Sequence, residues 1–168
     1  LAREVKADAP ATAPEYMTED GRACLKFDGI GNYIVFPREM TPRRGSWTLA
    51  LEIKPTSNKK QVLFTHHGHY IGSVMVYLED GKLWSRYTDQ YVKSTTQQSG
   101  LSLSMDEWSQ VEIHFDLASM TFTVNGETSE PQPAPGPGLY IGTSVFGGIG
   151  DGTQYFEGYL RALRMIHR

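Results

Sequence analysis

The chain has 168 residues, with 16 basic and 19 acidic side chains and a formal net charge of −3 at pH 7. This length suits one domain with a sizeable core. The basic residues are scattered, which argues against nucleic-acid binding because phosphate contacts need clustered cations. No apolar run approaches the roughly 20 residues that span a bilayer, so we expect no membrane insertion. One cysteine, Cys24, rules out an intrachain disulfide.

The N-terminal segment is rich in Ala and Pro. Residues 7–14 read ADAPATAP, a composition typical of an extended tether. We therefore divide the chain into a tether at residues 1–20 and one domain at residues 21–168. Because such tethers join a domain to a neighbour or to an export signal, we expect a neighbouring domain on the same native chain. We also expect a secreted, periplasmic or cell-surface location.

Beyond the tether, short runs of apolar residues are separated by Gly, Pro, Asn and Asp. In the run at 47–53, Trp47, Leu49 and Leu51 alternate with Thr48 and Ala50, the period of a strand with one buried face. Strands are predicted at 24–27, 33–36, 47–53, 61–65, 73–78, 82–87, 101–103, 111–115, 121–124, 138–142 and 156–165. No segment reads as a helix. The pattern predicts an all-β protein, an antiparallel two-sheet β-sandwich.

Two turns fix the pairing of neighbouring strands. Asp80-Gly81 and Asn125-Gly126 supply the positive φ angles of tight hairpin turns. Residues 143–153 form a Gly-rich loop. The predicted core consists of Phe27, Trp47, Leu49, Leu51, Val111, Ile113, Phe115, Phe122, Val124 and Ile141, with Trp108 also expected inside.

Four segments, in order, resemble laminin-G-like domains of the concanavalin A-like lectin/glucanase superfamily. They are LKFDG at 25–29 with YIV at 33–35, WTLALEIKP at 47–55, WSQV at 108–111 through VNG at 124–126, and LYIG at 139–142 with FEGYL at 156–160. The resemblance implies a jelly roll in which the outer face of one curved sheet can hold a ligand. It also implies carbohydrate as the partner.

Some members of that superfamily are glycoside hydrolases. The laminarinase-like ones carry E-x-D-x-x-E on one strand, since retaining hydrolysis needs two carboxylates about 5 Å apart. This chain lacks that motif. The remaining catalytic candidates are Glu112, His114 and Asp116, which share one face of a strand, although the solvated side of a half-buried strand explains them more simply.

Two metal sites are conceivable. His67 and His69 could share a face and hold zinc or copper, although a polar loop explains them better. The resemblance implies instead a structural calcium ion near Asp28 and Asn32, whose oxygens are hard ligands. The closing strand reads LRALR at 160–164, where relatives often place an acidic residue. Arg161 and Arg164 argue against a dication there if they face the site. No cofactor is required.

Aromatic residues cluster within 73–92, beside the histidines. Trp84 shares a strand face with Arg86, and this face is exposed if Leu83 is in the core; the alternative is a core Trp84. The candidate ligand-binding residues are Trp84, Arg86, Tyr87, Tyr91, His67 and His69.

Three functions remain open. The first is a non-catalytic carbohydrate-binding module of an exported, multidomain bacterial protein. The second is a polysaccharide hydrolase or lyase on the same fold, and the third is a protein-interaction domain. The absent carboxylate motif favours the first.

Overall fold

The structure is a computed structural model that describes residues 13–41, 45–68, 73–89, 93–135, 142–148 and 154–167. These residues form strands and loops without a helix, so none of them belongs to a helix able to cross a membrane. The strands are β1 (Glu15–Glu19), β2 (Arg22–Asp28), β3 (Ile34–Val35), β4 (Trp47–Pro55), β5 (Gln61–Gly68), β6 (Ser73–Glu79), β7 (Lys82–Thr88), β8 (Ser94–Ser102), β9 (Ser109–Phe115), β10 (Ser119–Val124), β11 (Glu127–Thr128), β12 (Gln132–Pro133), β13 (Gly142–Phe146) and β14 (Glu157–His167).

The strands form two antiparallel sheets. The larger sheet runs in the order β1-β2-β14-β4-β9-β10-β11, with β12 also paired to β10. The smaller sheet runs β3-β13-β5-β6-β7-β8. Because the terminal strands β2 and β14 pair beside β4, the two ends of the domain close one sheet together. The predicted all-β, antiparallel two-sheet sandwich is confirmed.

The core lies between the sheets. Apart from Trp108, the predicted core has ten residues; the nine of them that the structure describes are all buried, with exposures of 5 % or less, and Ile141 lies outside the described residues. Aromatic rings fill the centre, where Phe27, Phe146 and Phe156 pack edge to face. The prediction of a core Trp108 is wrong, since this residue is half-buried on the outer face of the larger sheet.

The hairpin turns have the expected backbone. Asn125 and Gly126 have φ angles of 50° and 87°, and Asp80 and Gly81 have 51° and 71°. Positive φ at both central residues gives the turn a twist that matches the strands it joins.

The N-terminal boundary differs from the prediction. Residues 15–19, assigned to the tether, form β1, which pairs with β2 across the Asp20-Gly21 turn. Tyr16 is 74 % exposed on this edge strand, so the segment buries little apolar surface and gave no strong periodic signal. The described domain therefore includes residues from Glu15 onward, and the predicted boundary at residue 20 is wrong.

Two strands of the smaller sheet also differ. β8 is longer than the predicted 101–103, because STTQQSG at 94–100 extends it although this stretch is polar. β13 occupies part of the predicted Gly-rich loop and pairs with β5 from Gly142 to Phe146. Both strands complete the sheet whose outer face carries Trp84.

Candidate functional site

Trp84 lies on the outer face of the smaller sheet. Along β7, Leu83 and Tyr87 are buried at 0 % and 2 % exposure, while Arg86 is exposed. Since side chains alternate along a strand, Trp84 and Arg86 point away from the core, as the sequence predicts for a buried Leu83. Trp84 itself is half-buried.

A second aromatic ring supports Trp84. Tyr77 lies directly opposite on β6, and the two rings stack with centroids 6.2 Å apart and an interplanar angle of 8°. The Nζ atom of Lys60 lies 4.5 Å from the centroid of the Tyr77 ring. Burial raises the pKa of the Tyr77 hydroxyl, so this ring stays neutral at physiological pH. Tyr77 thus covers one face of the Trp84 ring, and Trp84 remains partly exposed on the outer face of the sheet.

Sequence reasoning could have found this pair. A two-residue turn at Asp80-Gly81 pairs residues that lie symmetrically about it, which places position 77 opposite position 84. The observed register is the same. Lys60, which lies in the loop before β5, has no such signal and was missed.

Polar side chains flank the stack on the neighbouring edge strand. Gln98 lies opposite Trp84, and Thr96 lies opposite Arg86; both are exposed. On the other side the face is closed, because Thr65 is only 1 % exposed and lies 3.5 Å from the carbonyl oxygen of Gly148. The open part of the face therefore runs over β6, β7 and β8.

The structure describes the other predicted ligand-binding residues only in part. Tyr87 points into the core, where its ring stacks on Phe115, so its assignment to a binding surface is wrong. His67 lies in β5 opposite Thr143. Tyr91 and His69 lie outside the described residues.

The three predicted catalytic residues lie on β9 or just beyond it, and each has a different environment. Glu112 is exposed. The Nδ1 atom of His114 is 2.9 Å from the Thr48 hydroxyl. Asp116 lies beyond the strand and accepts hydrogen bonds from the backbone N–H groups of Ala118 and Ser119, which hold the pKa of its carboxyl below the ordinary value. Asp116 therefore shapes the β9–β10 turn, and the three groups form no acid–base pair.

The candidate calcium loop is satisfied by its own donors. Asp28 Oδ1 accepts the backbone N–H groups of Ile30, Gly31 and Asn32 at 2.9–3.1 Å. Burial opposes ionisation of Asp28, but these donors outweigh it and hold the pKa of the carboxyl below its ordinary value. The side-chain oxygen of Asn32 accepts the Asp28 N–H at 3.0 Å.

A lysine ammonium also lies at this loop. Lys59 Nζ donates to the carbonyl oxygen of Gly29 at 2.8 Å and lies 3.1 Å from the Glu157 carboxylate. No group of three or more His, Cys, Asp or Glu side chains among the described residues could hold a metal ion. Calcium prefers six to eight oxygen ligands, whereas the Asp28 carboxylate already accepts three backbone N–H groups and an ammonium lies beside the loop.

The outer face of the larger sheet carries a network of paired charges that the sequence analysis did not identify. Glu52 binds both Arg161 and Arg22, with N–O distances of 2.6 and 3.0 Å, and Lys54 pairs with Glu19. The guanidinium of Arg161 lies 3.8 Å from the centre of the Trp108 ring. The Arg161 guanidinium thus covers one face of the Trp108 ring.

A shallow depression of about 100 Å³ lies beside this network. It lies over three strands, and its walls are lined by Ala50, Leu51, Glu52, Gln110, Val111, Glu112, Ala162 and Arg164. Strand β14 has a bulge here, between Arg161 and Arg164.

Comparison with known proteins agrees with this architecture. A family profile described as the concanavalin A-like lectin/glucanases superfamily matches residues 28–168. Comparison with curated protein sequences gives no match.

Solved structures show the same fold at low sequence identity. Domains LG4-5 of the mouse laminin alpha1 chain have a TM-score of 0.69 and 17 % identity; the match covers 92 % of this chain but only 43 % of that one. Domain 4 of AbnA, a GH43 extracellular arabinanase from Geobacillus stearothermophilus solved with arabinotriose, has a TM-score of 0.74 and 12 % identity. The match covers 92 % of this chain and 75 % of that one. The CBM40 of a Ruminococcus gnavus IT-sialidase, bound to α2,3 sialyllactose, has a TM-score of 0.60 and 15 % identity. The match covers 73 % of this chain and 76 % of that one.

The family profile extends over most of the chain, from the Asp28 loop through the closing strand β14, and the two-sheet topology agrees with it. This chain belongs to the concanavalin A-like lectin/glucanases superfamily.

Proposed function

We propose that this domain is a non-catalytic carbohydrate-binding module of an exported, multidomain protein, and that it binds glycan on the outer face of the smaller sheet. The observation that carries the proposal is the outward-facing Trp84, stacked on Tyr77 and flanked by Arg86. Protein–sugar contacts combine an aromatic surface for the C–H faces of the ring with polar groups for its hydroxyls. Both the aromatic surface and the polar groups lie on this face.

The polar part of the site comes from two neighbouring strands. Arg86 on β7 supplies fixed donors, and the exposed Thr96 and Gln98 on β8 both donate and accept hydrogen bonds. A sugar ring lying on Trp84 would meet these groups at its edge. Because the face is open, a long chain can lie across it without an end being recognised.

Two structures with this fold were solved with sugar ligands, arabinotriose for the arabinanase domain 4 and α2,3 sialyllactose for the CBM40. They support carbohydrate as the ligand class. A non-catalytic role is supported by the missing E-x-D-x-x-E strand and by the separated roles of Glu112, His114 and Asp116. Trp84 is held in place by its stacking on Tyr77, but the surface is shallow. We therefore expect dissociation constants in the micromolar to millimolar range, a binding free energy of about 4–8 kcal/mol.

The test is glycan binding by wild type and Trp84→Ala, first on a glycan array and then by calorimetry with the best ligand. We expect Trp84→Ala to weaken binding about tenfold or more while the melting temperature changes little, because the side chain lies outside the core. Tyr16→Ala is the matched control, since Tyr16 is an exposed aromatic on an edge strand of the other sheet. Equal binding by wild type and Trp84→Ala would contradict the site.

A reducing-sugar assay on polysaccharides separates the module from an enzyme. We expect no product. Turnover that Glu112→Gln or His114→Ala abolishes would establish the hydrolase or lyase instead, and the absence of any glycan ligand would favour a protein-interaction domain.

A further inference from the structure

The depression on the outer face of the larger sheet separates two opposite charges. Arg164 on β14 and Glu112 on β9 are both register partners of Ala50 on β4. Directly opposite residues project to the same face, so the guanidinium and the carboxylate stand on either side of a methyl group. Two strand spacings place their backbones about 10 Å apart.

These two charges differ from their neighbours on the same face. Glu52, Arg161 and Arg22 are joined in one network, and Lys54 is paired with Glu19. Among the described residues, by contrast, the side chains of Glu112 and Arg164 make no ion pair or hydrogen bond. The charged side chains of this network are thus paired, whereas Glu112 and Arg164 lie on opposite sides of the depression and are not paired with each other.

The backbone at the rim is strained. Ala162 lies in the β14 bulge with a φ of 54°, a left-handed conformation that costs a residue with a Cβ atom of order 1 kcal/mol or more. Bulges re-aim side chains and are frequent beside functional sites. Here the bulge shifts the register so that Arg164, and not Leu163, lies opposite Ala50. Arg164 and Glu52 both line the depression.

The chemistry of the rim selects the class of ligand. Glu112 accepts hydrogen bonds, Arg164 donates them, and the amide of exposed Gln110 does both. A simple anion is repelled by Glu112 and a simple cation by Arg164. A neutral polyol satisfies both, because each hydroxyl donates and accepts, and charged partners make the stronger hydrogen bonds.

We propose that this depression is a second sugar contact, for the edge of one residue of a neutral glycan, on the opposite side of the sandwich from Trp84. The proposal rests on the proposed function for its ligand class, but it uses a different sheet and different residues. Because the two outer faces point in opposite directions, one short oligosaccharide cannot touch both. A domain with both contacts bridges two segments of polysaccharide.

The experiment is amide chemical-shift mapping on Trp84→Ala protein, in which the first contact is removed. The probes are neutral trisaccharides of β-linked glucose, β-linked xylose and α-linked arabinose, with glycine as a small zwitterion. We expect at least one trisaccharide to shift the amides of Ala50, Gln110 and Glu112. Glu112→Gln and Arg164→Gln should each weaken that binding at least about fivefold.

A third variant and two controls complete the test. Ala50→Tyr fills the depression on its solvent side and should abolish the shifts at Gln110 and Glu112. The exposed residues Glu107 and Arg38 lie outside the lining, so Glu107→Gln and Arg38→Gln should leave the binding unchanged.

Each outcome decides between the sites. Shifts from glycine alone, no shifts from any trisaccharide, or shifts that survive Ala50→Tyr would overturn the second contact. If Trp84→Ala removes all glycan binding, the proposed function stands and the second contact falls. If the depression binds while Trp84→Ala costs the wild-type protein no affinity, the second contact stands and the Trp84 site falls.

Discussion

At the scale of single residues, stability depends on aromatic side chains that touch both sheets. Phe115 on β9 is fully buried and stacks on Trp47 at 5.8 Å and on Tyr87 of the smaller sheet at 6.2 Å. Its ring thus contacts a side chain from each sheet. No smaller side chain fills that space.

Replacing Phe115 by Ala should lower the free energy of unfolding by about 3–5 kcal/mol, because the transfer free energy is lost and a cavity remains. Urea unfolding followed by tryptophan fluorescence measures the change. Ile30→Ala is the control, since Ile30 is 79 % exposed and should lose little. A loss below about 1 kcal/mol for Phe115→Ala would mean that the register of β9 is reversed.

Glu52 makes the outer network of the larger sheet sensitive to acid. Burial opposes its ionisation, but Arg161 and Arg22 outweigh burial and lower the pKa of its carboxyl below the ordinary 4.5. Because this pKa is lower in the folded state, the ionised Glu52 carboxylate stabilises the folded protein above pH 4.5. This contribution is lost as the pH falls through the folded-state pKa.

Melting temperatures of wild type and Glu52→Gln between about pH 3 and pH 7 should test this linkage. Wild type should be the more stable protein near neutral pH, and the difference should shrink as Glu52 becomes protonated. A difference that stays constant down to about pH 3 would show that charge at Glu52 does not contribute.

At the scale of elements, β1 is an edge strand. Within the described residues it pairs with β2 alone, and it contributes the Glu19–Lys54 ion pair. A chain that begins at residue 15 should therefore melt like the full chain. A chain that begins at residue 21 should lose about 1–3 kcal/mol, or roughly 2–12 °C in melting temperature, because β2 becomes an edge strand and Lys54 loses its partner. Identical melting of both shortened chains would show that β1 adds no stability.

The same alternation that predicts most strands also explains the errors. Trp84 and Tyr87 are three residues apart on one strand, so period two places them on opposite faces and only one can bind ligand. Trp108 likewise lies three residues before Val111, which places it outside. The faces of β4, β9 and β10 were predictable because apolar and polar residues alternate there. The polar residues 94–100 of β8 have no such contrast, and their pairing is set by the neighbouring β7.

The candidate site was predictable only in part. The outward orientation of Trp84 and Arg86 follows from a buried Leu83. The depression does not, because it depends on the β14 bulge that brings Arg164 opposite Ala50. The sequence around Ala162 has no distinctive pattern that indicates a bulge. The register of β14 against β4 therefore comes from the structure alone.

At the scale of the whole molecule, a lysine from the loop between β4 and β5 lies where the opening strand β2 and the closing strand β14 meet. The Lys59 ammonium binds Gly29 in the β2–β3 loop and Glu157 at the start of β14, while Asp28 is used by three backbone donors. A side chain attached to the protein thus supplies the positive charge at this junction. Its position does not depend on the concentration of a free ion.

Melting temperature should therefore be the same in a chelator and in excess calcium. A bound ion at a hundred times its dissociation constant would add about 2.7 kcal/mol, which is roughly 5–11 °C for a domain of this size and easily measured. Lys59→Ala should lower the melting temperature equally in both solutions, because Gly29 and Glu157 lose their partner and no metal replaces it. Lys82→Ala is the control, as Lys82 is an exposed lysine on β7. Destabilisation by the chelator that calcium reverses would establish a calcium site at Asp28, and reversal by zinc alone would point instead to His67 and His69.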